Sequence, residues 1–185
     1  MTDQQPFILE TSRCILRLFT MADDEVLFHL DSDPEVHRYL GNRPLKNIDQ
    51  AREVIKNIRH QYRSNGIGRL AVVDRSTGEF MGWAGLKLET REVNGHRSYY
   101  DLGYRLAKRF WGNGIASECA AASLGIGFNE HQLEVINAAA HTENIASNKV
   151  LQKNGFTLKN TFRFDGATHN WYELTRKDWI LGRPG

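Results

Sequence analysis

The stretch "RCILRLF", Arg13 to Phe19, alternates apolar with polar positions in the manner of a half-buried strand. The period then lengthens. Thr20 is placed to cap a helix through "MADDEVLFHLDS", and Pro34 opens a short helix, "PEVHRYL", that Gly41 stops. A longer helix follows Asn47, where Asn47 and Gln50 form a capping box and Ile48, Ala51, Val54, Ile55, Ile58 and Tyr62 share one face up to Gly66. From Arg69 the period shortens to two through "RLAVVD", "EFMGWAGLKL" and "SYYDLGYRL", a meander of three antiparallel strands whose last two join across Asn94-Gly95. A loop with Gly112 and Gly114 comes next, then a helix over about 116–128 and the apolar strand "VINAAAH". A helix over about 147–154 stops at Gly155, and "TLKNTFRF" and "ATHNWYEL" form a closing hairpin about Asp165-Gly166. Strand, loop, helix, strand makes one parallel crossover in an otherwise antiparallel sheet. The expected class is α/β (α+β): a mixed, mostly antiparallel sheet with one parallel pair, flanked by helices.

Composition narrows the class. At 185 residues the chain suits one full core, and no repeat or linker divides it, so a single domain over 1–185 is expected. A net charge of +2, with basic and acidic residues interspersed, offers no stripe for a nucleic-acid backbone. The start "MTDQQPFILE" lacks the basic and apolar regions of a signal peptide, and no apolar run reaches membrane-spanning length. A cytoplasmic protein that binds neither membrane nor nucleic acid is expected. Cys14 and Cys119 have no CxxC spacing and read as buried thiols rather than as a zinc site or disulfide framework.

The chemistry gathers at "RFWGNGIASE". A helix start leaves several amides without intrahelical partners and carries partial positive charge, so a loop without side chains there can hold an anion. Gly112 and Gly114 fit that use, and they fit equally a tight strand-to-helix connection that needs only positive backbone angles. A Walker A loop is excluded, because Ile115 and Ala116 stand where Lys and Ser/Thr are required. A dinucleotide fingerprint would have to recruit Ser117 and Glu143, in a unit preceded by antiparallel strands, and fits poorly.

"LGYRLAKRFWGNGIASECA" followed by "HTENIASNKVLQKNGF" resembles the acetyl-CoA signature of the GNAT superfamily of N-acetyltransferases, most closely its RimJ/RimL-type branch. The resemblance covers about 102–156. It implies a pyrophosphate loop at Trp111, Gly112, Asn113, Gly114, Ile115 and Ala116, continuing to Ser117, with Trp111 in the slot usually held by Gln or Arg. Arg109 is left without a role. It also implies that Asn144, Ser147 and Lys149 flank the thiol end of the cofactor, although Asn144 as a helix cap and Ser147 in a first turn have a structural use too.

The same resemblance implies that two parallel strands splay and that the pantetheine arm pairs with the open edge at Tyr104, Arg105 and Leu106. An N–H near Leu106 would face the thioester carbonyl, a donor worth about 3 kcal/mol in such settings. Ser147 is the group expected to assist the leaving sulfur, because the tyrosine that many superfamily members place on this helix is Leu151 here. For a base, Glu118, His141, Glu143 and Glu173 are candidates and none is singled out; no metal is expected. The expected activity is acetyl-CoA-dependent transfer to a primary amine on a peptide, protein or small molecule, a protein N-terminus among them. The alternative is a non-catalytic acyl-CoA-binding or sensor module. Tyr39, Arg43, Trp83, Trp171 and Tyr172 are candidates for an acceptor cleft and equally for the core, and the oligomeric state stays open between monomer and homodimer.

Overall fold

The computed structural model describes residues 8–182, leaving most of "MTDQQPFILE" outside. Its strands are β1 (Ile8–Glu10), β2 (Cys14–Arg17), β3 (Arg69–Asp74), β4 (Phe80–Glu89), β5 (Tyr99–Leu106), β6 (Val135–His141), β7 (Thr157–Phe164) and β8 (Ala167–Thr175). They form one sheet in the order β1-β2-β3-β4-β5-β6-β8-β7, antiparallel throughout except where β5 runs parallel to β6. The mixed sheet with a single parallel pair is the one expected.

The helices are α1 (Asp24–Asp31), α2 (Pro34–His37), α3 (Ile48–Asn65), α4 (Ile115–Gly125), α5 (Ile145–Lys153) and α6 (Arg176–Leu181). Asn47 caps α3 by accepting from the Gln50 amide (3.1 Å), a contact of about 1 kcal/mol. The return half of the expected capping box is displaced: the Gln50 side chain accepts from the Lys46 amide (2.7 Å), one residue before Asn47. Both later helices start earlier than expected, α4 at Ile115 and α5 at Ile145, and α4 ends in a wider π turn over Ile126–Glu130. Two short elements, β1 and α6, are not marked by periodicity. β1 spans three residues at the sheet edge, and α6 depends on Thr175, whose hydroxyl accepts from the Asp178 amide (3.1 Å).

Alternation along the strands sends side chains to two differently covered faces. On one, α4 and α5 bury Leu86, Leu102, Ile136, Ala138, Ala140 and Leu174. On the other, Leu27, Leu30, Ala51, Ile55 and Ile58 of α1 and α3 pack on Ala71 of β3, with Trp83 of β4 beside them. Toward β6 that second face is bare: Ala139 is exposed although it lies mid-strand between buried Ala138 and Ala140. No helix in the described residues is long and apolar enough to cross a membrane.

The pairing of β5 with β6 fails early. Asp101↔Asn137 is their one paired position, and the strands part beyond it. Arg69, buried at the start of β3, pins this point: it donates to the Gly85 carbonyl, to the Asp101 carbonyl (2.6 Å) and to the Asp101 carboxylate. Its guanidinium takes the space a side chain would need at position 103, where a Cβ would sit 2.7 Å from Arg69 Nη2. Only glycine fits there.

Candidate functional site

The gap between β5 and β6 leads to the loop before α4. Gly112 and Gly114 adopt φ of +76° and +78°, angles that make side-chain-bearing residues unfavourable, and Gly114 caps the helix. Among the described residues, nothing in the chain accepts from the amides of Gly112 through Ser117; the first amide of α4 to be taken up is that of Glu118, by the Gly114 carbonyl (3.1 Å). A Cβ at Gly112 would meet no atom within 4 Å. The loop is thus an open row of donors at the positive end of an eleven-residue helix. Beside it lies a cavity of ≈ 490 Å³ lined in part by Arg13, Asn113, Gly114, Ser117, Lys153 and Asn154.

Contacts from distant segments hold the loop in shape. Arg13 donates to the Asn113 carbonyl (2.7 Å) and to the Glu118 carboxylate (2.7 Å), which also accepts from the Arg13 amide (2.9 Å) and the Ser12 hydroxyl (3.0 Å). Burial opposes the charge on Glu118, but the hydrogen bonds from Thr11, Arg13 and Ser12 outweigh it and bring the carboxyl down to about 2. So Glu118, one of the candidate bases, is a clamp between the start of β2 and α4. Asn154 ties the end of α5 to the loop by donating to Ser117 Oγ (3.1 Å). The Trp111 indole turns back and donates to the Leu106 carbonyl (2.7 Å). Ile115 buries its side chain in the core, leaving only its backbone to the site. Arg109 pairs with Glu79 (2.5 Å), away from the loop amides.

Across the gap stands Ser147. Asn144 accepts from the Ser147 amide (3.1 Å), which makes it the cap of α5. Ser147 Oγ lies 3.0 Å from the Tyr104 hydroxyl, so the opened strand and the helix meet through two hydroxyls. Burial drives the Tyr104 phenol well above its ordinary range, against the opposing effect of its hydrogen bond with Ser147. Asn148 braces the next position: Oδ1 accepts from Asn170 (2.7 Å) and Tyr172 (2.7 Å), and Nδ2 donates to the His141 (3.0 Å) and Asn144 (2.7 Å) carbonyls. Lys149 is exposed and does not line the cavity, whereas Lys153, one turn on, does.

The bare face of the sheet is aromatic and internally paired. Tyr39 packs on His141 (5.3 Å between ring centroids) and His141 on His169 (5.4 Å). Arg105 lies over Trp83 (5.0 Å) and pairs with Asp31 (2.6 Å). Burial and the Arg105 charge hold His37 below the ordinary imidazole range, which suits its Nε2 facing Arg105 Nη1 at 3.3 Å. Of the acceptor-cleft candidates, Tyr39 and Trp83 reach this face. Trp171 is buried under His96, Tyr172 lies in the α4/α5 core, and Arg43 pairs with Asp165 (2.9 Å) at the surface. Of the other base candidates, His141 Nδ1 accepts from the Glu143 amide (3.1 Å), Glu143 is exposed, and Glu173 pairs with Lys159 (3.1 Å). Sequence reasoning missed Arg69, Asp101 and the hydroxyl of Tyr104. A charged residue opening the apolar strand "RLAVVD" and a glycine inside "DLGYRL" were the signals of a close approach.

A mixed sheet opened at one parallel pair, with a bare helix N-terminus at the end of the opening, suits a transferase whose extended donor ends in an anionic group. The family model described as the acetyltransferase (GNAT) domain matches residues 13–157, and the chain belongs to that family. It is 35% identical over 156 residues to the uncharacterized N-acetyltransferase YoaA of Bacillus subtilis, a match that covers 84% of this chain and 86% of YoaA. Among solved structures, a putative GNAT-family acetyltransferase from Bordetella pertussis superposes with a TM-score of 0.79 at 24% identity, covering 90% of this chain and 98% of that one. RimL, a ribosomal alpha-N-protein acetyltransferase solved in complex with coenzyme A, superposes with a TM-score of 0.76 at 18% identity, covering 91% and 98%. The chain is an N-acetyltransferase.

Proposed function

We propose that the chain transfers the acetyl group of acetyl-CoA directly to a primary amine, with a peptide or protein α-amine as the acceptor class. One observation carries this reading: β5 and β6 part beyond Asp101 and Asn137, and the gap leads to six amides, Gly112 to Ser117, that take no acceptor among the described residues. The residues suit a coenzyme A thioester. The amides and the helix end match its diphosphate, with Lys153 adding charge at the rim, where Arg13 and Glu118 neutralise each other. The open edge of β5 offers the Tyr104 backbone groups and the Leu106 amide to an amide-bearing arm, whereas the Arg105 backbone faces β4 and the Leu106 carbonyl is held by Trp111.

In the transfer, a C–N bond forms at the thioester carbon and the C–S bond breaks. An amide near Leu106 stabilises negative charge on the carbonyl oxygen, a contribution of about 3 kcal/mol, and Ser147 Oγ serves the departing sulfur. Holding the two reactants in one gap removes much of the remaining barrier. The acceptor enters over exposed Ala139, beside Tyr39 and His141. Asp31 and Asp101 on this side are each already paired with an arginine, which favours a single amine over a polycation.

The test combines calorimetry with coenzyme A and thiol release from acetyl-CoA in the presence of a tetrapeptide, spermidine, a free amino acid or hydroxylamine. Wild type is expected to bind coenzyme A and to release thiol fastest with the peptide or with hydroxylamine. Gly112→Ala adds a methyl group that meets no protein atom, at a strain of about 1 kcal/mol, and it should weaken coenzyme A binding at least about tenfold. Unchanged binding by that variant refutes the phosphate site. Tight binding with no amine accelerating thiol release would make the chain a binding or sensor module.

A further inference from the structure

We propose that Tyr104 is a positioning residue for the transfer: its hydroxyl sets the direction in which Ser147 offers its proton. The proposal rests on the reading that Ser147 serves the sulfur. Tyr104 projects from β5 to the α5 side of the sheet, and its oxygen lies 3.0 Å from Ser147 Oγ and 3.1 Å from the Ser147 carbonyl. A phenol has one proton to donate and a serine hydroxyl has one. Two arrangements therefore satisfy the geometry. In one, Tyr104 donates to the Ser147 carbonyl and Ser147 donates to Tyr104, so the serine presents only lone pairs to the gap. In the other, Tyr104 donates to Ser147 Oγ and the serine proton is free to point outward.

Only the second arrangement favours acetyl transfer. As the C–S bond breaks, its electron pair stays on sulfur, and a donor stabilises that charge where a lone pair would repel it. A chain of two hydroxyls ending on an anion also polarises along its length, which strengthens each bond. Neither hydroxyl loses a proton in the net reaction. Nitrogen sheds one proton on forming the amide, and sulfur or solvent takes it. Burial keeps the Tyr104 phenol protonated, so it remains a donor throughout. At the position where the superfamily's tyrosine is expected on α5, this chain buries Leu151, and a tyrosine reaches the same neighbourhood from the strand instead.

The experiment measures acetyl transfer to hydroxylamine, a nucleophile small enough to need no acceptor pocket, at saturating acetyl-CoA, together with the coenzyme A dissociation constant. Tyr104→Phe and Ser147→Ala should each lower the rate about tenfold with the dissociation constant within about twofold of wild type. The double variant should be no slower than Ser147→Ala alone, because Tyr104 acts only through Ser147. Additive losses, or a loss confined to coenzyme A binding, overturn the proposal and assign Tyr104 to packing. If Ser147→Ala is slow and Tyr104→Phe is not, the proposal fails while the role of Ser147 stands. If neither variant is slow, the parent reading of Ser147 fails with it. Fluorotyrosine at position 104 keeps the shape of the ring with a stronger donor, and it tests the same claim should Tyr104→Phe fold poorly: a rate at or above wild type is expected, and a rate as low as that of Ser147→Ala overturns it.

Discussion

Replacing Arg69 by methionine should be the most damaging conservative change near the site. The variant keeps an apolar stem of similar length and removes the guanidinium that serves Gly85, the Asp101 carbonyl and the Asp101 carboxylate. Removing one partner of a buried ion pair is destabilising by about 3–5 kcal/mol. The Asp101 side chain keeps 21% of its surface, so water can partly rescue it and the lower end, about 3 kcal/mol, applies. For a chain of this size that corresponds to a fall in Tm of about 10 °C. Urea unfolding measures the stability, and adding Asp101→Asn should restore about 1–2 kcal/mol by neutralising the orphaned carboxylate. Because Asp101 marks the point where β5 leaves β6, acetyl transfer to hydroxylamine should also drop at least about tenfold in the folded variant. Arg69→Met within about 1 kcal/mol of wild type, additive with Asp101→Asn and fully active, would show that the guanidinium does not hold the opening.

Two further outcomes follow from the clamps around the loop and α5. The Glu118 carboxyl sits at about 2 when folded against an ordinary 4.5, so its contribution to stability is complete above about pH 4.5 and is lost as pH falls toward 2. Unfolding free energies of wild type and Glu118→Gln should therefore converge on acidification from pH 7 to 3, and a constant gap would count against the clamp. Asn148→Ala leaves the buried Tyr172 hydroxyl and the Asn170 amide without their acceptor and should be destabilising by about 2–3 kcal/mol in urea titration, with slower acetyl transfer because Ser147 sits one residue away. A loss below about 1 kcal/mol would mean that water replaces the amide.

Much of the fold is local and was legible. The strand periods of "RLAVVD" and "SYYDLGYRL", the turn at Asn94-Gly95, the cap at Asn47 and the glycines before α4 each act within a few residues, so their order along the chain already implied an antiparallel sheet with one parallel crossover. The glycine loop before α4 was legible for the same reason, since a helix N-terminus and absent side chains are properties of consecutive residues.

The sequence by itself determined most of the elements, their order and the glycine loop before α4; the tertiary structure alone decided which polar side chains meet and showed that the loop amides stay open. Arg69 with Asp101, Tyr104 with Ser147 and Arg13 with Glu118 are 32, 43 and 105 positions apart. No period or cap links residues at such separations, because those signals arise within one or two turns of chain. Their pairing depends on sheet order and on which face each side chain occupies, and both are settled only when the strands have packed.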